Sequence, residues 1–253
     1  MNMFASSNIQ VLSNAILKAS KNLRRDFGEI EKLQNSRSNV NGFVKKSYTN
    51  TKESIFNELK NARPDWDFYF DKPNKYEAAK YIDKKFCFIK PISGISNFAK
   101  GISYFALSAI YFDNLKPEAT VIYDPIKDEL FYSEKGRGAF VNNSRIRCSS
   151  TKNLADSIFV FDNKNLYMTA VKKKFLNLLK ADVRIFGCSC LDIASLASGR
   201  VDCYISYNQI DNELEPSSLL IKEAGGIELQ SKFEKNFFLY SNNYIKDLLE
   251  NKL

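Results

Sequence analysis

The chain is predicted to fold as an α+β half followed by an α/β half. Two observations predict this: after two helical stretches, strands dominate to about residue 148, and from residue 157 onward strands and helices alternate. Residues 9–25 place Ile9, Leu12, Ile16, Ala19 and Leu23 at helical spacing, and residues 50–62 form a second amphipathic helix carrying Ile55, Phe56 and Leu59. Residues 85–89 (KFCFI) form a short apolar run that reads as a buried strand, which Pro91, Gly94 and Asn97 break into a tight turn and a short helix. Further on, strands at 157–161, 182–186, 202–207 and 236–240 alternate with helices near 166–180, 189–198, 216–224 and 242–251. The polar stretch 149–153 (SSTKN) supplies a connection, which divides the chain into an N-terminal α+β domain over 1–148 and a C-terminal α/β domain over 149–253. Gly225 and Gly226 read as the stop of the 216–224 helix.

Composition excludes several classes. A 44% hydrophobic content is enough for a proper core in 253 residues, whether as one large domain or two small ones. No stretch approaches the roughly 20 apolar residues of a membrane span, and the start of the chain lacks the charged and apolar blocks of a signal peptide, so a cytoplasmic protein is expected. The five cysteines are odd in number and contain no C-x-x-C pair, which argues against a disulfide framework or a zinc site and for reduced, mostly buried thiols. The absence of histidine removes the commonest general base and the commonest metal ligand together. The net charge of +8 is dispersed, and the small clusters at Lys21, Arg24 and Arg25 and at 172–174 read as solvated helix faces rather than a nucleic-acid patch.

The chemistry concentrates in residues 90–98, KPISGISNF. This nonapeptide resembles the signature of the inositol monophosphatase family, D-P-[IL]-D-G-T-x-N-F: Pro91, Ile92, Gly94, Asn97 and Phe98 match, while Lys90, Ser93 and Ile95 stand where the signature has two aspartates and a threonine. Three further stretches follow in family order. Residues 101–112 resemble its long strand, 121–125 with 128–143 its hairpins, and 184–202 (RIFGCSCLDIASLASGRVD) with 222–229 (KEAGGIEL) its closing blocks. The resemblance covers about residues 8–230 and implies the family's layered α-β-α-β-α sandwich and a homodimer.

Carried over position by position, the resemblance implies a depleted metal site. Family members hydrolyse phosphate monoesters with Mg²⁺, which needs hard oxygen ligands. The family's metal-binding glutamate falls on Asp71, the signature aspartates on Lys90 and Ser93, the carbonyl ligand on Ile92, and the aspartate that opens the later helix on Glu213. The water-positioning aspartate and threonine fall on Tyr48 and Ile95, and the glutamate that contacts inositol hydroxyls falls on Ser206. Asp71 also reads as a turn residue before Pro73, and Glu213 as a favourable charge at a helix N-terminus. Asp192 and Asp202 read as structural.

Three functions are therefore expected as alternatives. The first is a catalytically degenerate member of the SuhB-like branch with no cofactor. By resemblance, its partner would be the transcription machinery or RNA. The second is a Mg²⁺-dependent phosphatase with rearranged ligands drawn from Asp65, Asp67, Asp71 or Glu215. The third is a metal-free protein that binds a phosphorylated small molecule through Lys90, Ser93, Gly94, Ile95 and Ser206, using amides at the start of the short helix.

Overall fold

The structure is a computed structural model that describes residues 6–33, 40–70, 83–162, 181–207, 216–230 and 237–249. The first layer is two packed helices, α1 (Ser7–Leu33) and α2 (Val40–Ala62). Ile9, Leu12, Ile16, Ala19 and Leu23 are all buried as their spacing predicts, and Phe27 and Ile30 continue the same stripe past residue 25, so α1 runs a further two turns. At its start the Ser6 hydroxyl accepts a hydrogen bond from the Ile9 amide, 3.3 Å. Helix α2 begins ten residues before its predicted start. Its upstream inward positions include Ser47 and Thr51, which break the apolar pattern, and Thr51 hides its polarity by donating to the Ser47 carbonyl, 2.7 Å. Phe56, expected on the buried face with Ile55 and Leu59, is instead exposed and meets Phe68 edge-on at 5.9 Å.

Beneath these helices lies a seven-stranded sheet: β1 (Asp67–Phe70), β2 (Lys85–Ser93), β3 (Ala106–Asp113), β4 (Lys116–Asp124), β5 (Glu129–Glu134), β6 (Gly138–Val141) and β7 (Ser144–Ile146), in that spatial order. Only the β1–β2 pair is parallel. Period-two alternation divides its faces. Cys87, Ile89, Leu107, Ala109 and Tyr111 join the α1–α2 core, while Phe86, Phe88, Ile110 and Phe112 form a separate aromatic cluster on the other side. After β2 the chain turns at Gly94 into a five-residue helix, α3 (Ile95–Ala99).

A second sheet, ordered β11-β12-β10-β8-β9, is built from β8 (Ile158–Phe161), β9 (Asp182–Arg184), β10 (Cys203–Tyr207), β11 (Ile227–Gln230) and β12 (Phe237–Ser241). Strand β9 is shorter than expected, and Ile185 and Phe186, assigned to it from sequence, are exposed beyond its end. The helix expected near 166–180 lies outside the described residues. Helices α4 (Ser189–Ala197) and α5 (Pro216–Glu223) fill the space between the sheets, and α6 (Asn243–Leu249) packs beyond the second. Pressed from both sides, α4 buries seven of its nine residues and shows little amphipathic contrast. The central core is accordingly shared: Ala106, Ile122 and Phe131 of the first sheet cluster with Val160, Tyr204 and Tyr240 of the second. The layers run α-β-α-β-α.

The 149–153 connection is held by Asp202, whose carboxylate accepts from the Ser149 hydroxyl, 2.5 Å, and from the Ile158 amide, 2.8 Å. This is a structural role, as read from sequence. Cys87, Cys188, Cys190 and Cys203 are buried free thiols, with Cys148 partly buried. Among the described residues, no helix is long and apolar enough to cross a membrane.

Candidate functional site

Strand β2 delivers residues 90–93 to the end of the first sheet. Lys90 is paired in register with Ser108 and Ser93 with Ala106, and the register shifts between them. Pro91 lies in this irregular stretch, and with no N–H to give the ladder it is tolerated there. Lys90 is half-buried; Ile92 and Ser93 are buried.

The chain then reverses at Gly94 in a left-handed conformation, φ +79° and ψ 38°. The reversal is also a close approach. A Cβ at Gly94 would lie 2.9 Å from the Cys188 Cβ and 3.0 Å from the Tyr104 carbonyl oxygen. Ser93 faces the same cysteine: its carbonyl and hydroxyl oxygens lie 3.4 and 3.5 Å from the Cys188 Sγ. Burial, and after it the neighbouring Cys190, pushes the Cys188 thiol well above the ordinary thiol range, so the group beside the turn is a neutral thiol and not a nucleophile.

Asn97 fixes the far side of the turn. Its Nδ2 donates to the Tyr104 carbonyl and to the Phe186 carbonyl, both at 2.8 Å, joining the signature loop to the segment before Gly187. Tyr104 in turn donates its hydroxyl to Asp192 Oδ1, 2.9 Å. Asp192, read from sequence as a structural residue, lies within α4, whose N-cap is Cys188 with no side-chain bond, and accepts the Tyr104 hydrogen bond there.

Burial raises the Asp192 carboxyl to about 7, partly opposed by the Tyr104 hydrogen bond and reinforced by Asp162. Because the folded value lies above the ordinary one, the stability this group contributes is complete below about pH 4 and is lost as pH rises through about 7. The shift corresponds to roughly 4 kcal/mol at most. The melting temperature is therefore expected to fall between about pH 4 and 7 and to level off above, and Asp192→Asn to flatten that slope. An unchanged slope in the variant would refute the assignment. Glu129, held low by the Arg200 hydrogen bond, acts in the opposite sense and only at more acidic pH.

The other candidate residues are distributed as follows. Ile95 is the first residue of α3 and is 43% exposed beside the turn. Tyr48 is partly buried in α2 against the first-layer core. Ser206 lies in β10 opposite Phe238, fully buried, and its hydroxyl finds no hydrogen-bond partner among the described residues. Asp65 and Asp67 pair with Lys85 and Lys84, at 3.9 and 3.3 Å. Asp71, Glu213 and Glu215 lie outside the described residues. Among the described residues, no group of three His, Cys, Asp or Glu side chains is placed to hold a metal ion. The structure thus brings together Lys90, Ile92, Ser93, Gly94 and Ile95, as their adjacency requires. To Asn97, which the sequence already places in the turn, it adds Tyr104, Cys188 and Asp192, whose part in it no sequence pattern shows.

The fold and this turn can be compared with known proteins. The model of the inositol monophosphatase family matches residues 5–248. The chain belongs to the inositol monophosphatase family. It is 30% identical over 229 residues to the inositol-1-monophosphatase of Rhizobium meliloti, covering 88% of this chain and 85% of that one. It is 29% identical over 227 residues to the Nus factor SuhB of Vibrio cholerae, covering 87% and 83%. The solved structure of the extragenic suppressor protein SuhB from Bartonella henselae superposes with a TM-score of 0.80 at 29% identity, over 97% of this chain and 98% of that one. This family member is SuhB-like, and the layered α+β sandwich expected from its sequence is the one observed.

Proposed function

We propose that this chain is a SuhB-like member of the inositol monophosphatase family that has lost metal-dependent phosphate-ester hydrolysis and acts by binding, with the transcription machinery as its partner class. One observation supports the reading: on the signature strand, half-buried Lys90 and buried Ser93 stand in sequence where the family signature has carboxylates. Replacing a carboxylate by an ammonium changes the local charge by two units. At about 4 Å from a dication, and with an effective dielectric near 20, the repulsion amounts to several kcal/mol. Ser93 offers its oxygens to a thiol, and Ile95 places a hydrocarbon where the signature has a threonine. These residues do not fit a magnesium ion. A lysine cannot lower the pKa of a bound water as a metal does, and Tyr48 and Ile95 supply no general base. The relatives named as Nus factor SuhB support the binding arm of the reading, and its companions named as inositol-1-monophosphatase set the alternative against which it is tested.

The test is phosphate release from a panel of phosphomonoesters with Mg²⁺ or Mn²⁺ titrated. The unaltered chain is expected to release no phosphate above the metal-free blank, and the paired variant Lys90→Asp/Ser93→Asp to gain metal-dependent turnover. Metal-dependent turnover by the unaltered chain, abolished by Asp71→Ala or Glu213→Ala, would overturn the reading and establish rearranged ligands.

A further inference from the structure

At the edge of the first sheet opposite β1, five strands from β2 and so about 24 Å away at ~4.8 Å per strand, the surface forms a half-open cavity of about 210 Å³. Its charged lining is Arg145, Arg147, Lys222 and Glu223. Three cations face one carboxylate, and that carboxylate is already committed: Glu223 Oε1 and Oε2 accept from the amides of Gly136 and Gly138, each at 2.7 Å. Arg145, Arg147 and Lys222 make no ion pair or side-chain hydrogen bond to any described residue.

The local backbone explains why the cations converge. Arg145 lies in β7 and Arg147 follows two residues later, so strand alternation sends both to one side. Gly138, at φ +89°, lets the Arg145 guanidinium lie close, since a Cβ there would sit 3.0 Å from its Nη2. The carbonyls at the end of α5, which would repel an anion, are turned to donors of their own: Ile221 accepts from Gly226, 2.8 Å, Lys222 from Gly225, 3.0 Å, and Ala224 from Cys148, 3.0 Å. What faces the cavity is net positive charge in a concave, fork-bearing arrangement, the geometry that recognises phosphate oxygens.

We propose that this cavity binds a phosphate-type dianion, the terminal phosphate or diphosphate group of a small molecule, at a site separate from the Lys90 loop. A small ligand fits better than a nucleic-acid strand because the cations do not extend into a track: the neighbouring Lys135 and Arg137 are paired to Glu118 and Glu134, at 2.7 and 3.1 Å.

The test is a titration of the full ¹⁵N-labelled chain with pyrophosphate, and with inorganic phosphate, followed by amide shifts. Saturable shifts are expected at Gly136, Gly138 and Gly225. Arg147→Gln and Lys222→Met should each weaken pyrophosphate about tenfold, equivalent to one charge-assisted contact, with unchanged thermal unfolding. Lys135→Met, which removes an equal charge outside the cavity, should change affinity by no more than about twofold. The proposal falls if no shifts saturate at these amides, if the two cavity variants bind pyrophosphate as well as the unaltered chain, if Lys135→Met weakens it as much as they do, or if a short single-stranded RNA binds through these residues while pyrophosphate does not.

Discussion

Gly94→Ala is expected to destabilise the protein by about 3 kcal/mol or more, in urea unfolding at constant m-value. Two penalties combine. The left-handed backbone at φ +79° costs a non-glycine residue about 1 kcal/mol or more, and a methyl group 2.9 Å from the Cys188 Cβ and 3.0 Å from a backbone oxygen forces the turn and α4 apart, at a further 1–3 kcal/mol. Gly225→Ala separates the two terms. Gly225 has a similar φ of +82° but nothing within 4 Å of a Cβ, so its substitution should cost only the backbone term, about 1 kcal/mol. Equal losses at the two positions would show that the close approach at Gly94 does not exist.

Asn97→Asp is expected to cost about 2–4 kcal/mol at neutral pH, more than Asn97→Ala. The asparagine uses both N–H bonds of one amide to hold the Tyr104 and Phe186 carbonyls at 2.8 Å. Alanine loses the two bonds and leaves the acceptors unpaired, at about 1–2 kcal/mol. Aspartate is nearly the same shape, but it replaces two donors by acceptors and points a negative charge at two carbonyl oxygens. Its penalty should shrink at acid pH, where protonation returns one donor. Urea unfolding at pH 5 and pH 8 reads both effects. An alanine variant as stable as the unaltered chain would show that the bridge contributes nothing to the turn, and an aspartate variant no worse than alanine at pH 8 that the two carbonyls do not face the side chain.

These two residues mark how far the sequence could be read. Pro91, Gly94 and Asn97 announced a strand that breaks into a turn, and the strand, the turn and a short helix are there. The partners of the turn were not legible. Cys188 and Phe186 lie some 90 positions further along the chain, and no periodicity links them to Gly94 or Asn97; only the packing of α4 against the first sheet brings them within contact. Asp192 illustrates the same limit. A carboxylate near a predicted helix start reads as structural, but its partner is not legible: in a helix buried between two sheets the donor is Tyr104 from another element, and burial moves its titration into the neutral range.

The helices show which local rules survive burial. Helix α1 declared itself because one apolar stripe meets one sheet, and the same stripe carried it past its predicted end. The first half of α2 shows no apolar stripe because Ser47 and Thr51 occupy inward positions, the Thr51 hydroxyl absorbed by its bond to the Ser47 backbone carbonyl. Phe56, one of the three apolar residues that mark α2 as amphipathic, lies outside against Phe68, while Ile55 and Leu59 are buried.

By itself, the sequence determined the fold class, the family, and the substitution of Lys90, Ser93 and Ile95 at the signature, because these depend on local pattern and on the order of motifs along the chain. Tertiary structure decided what surrounds those residues: a thiol against Ser93, an amide bridge from Asn97, a buried carboxyl at Asp192 bonded to Tyr104, and a cluster of three cations at the far edge of the sheet. The physical reason is that charge, burial and hydrogen-bond supply at a site are set by distances between residues remote in sequence, and only the packed layers fix those distances.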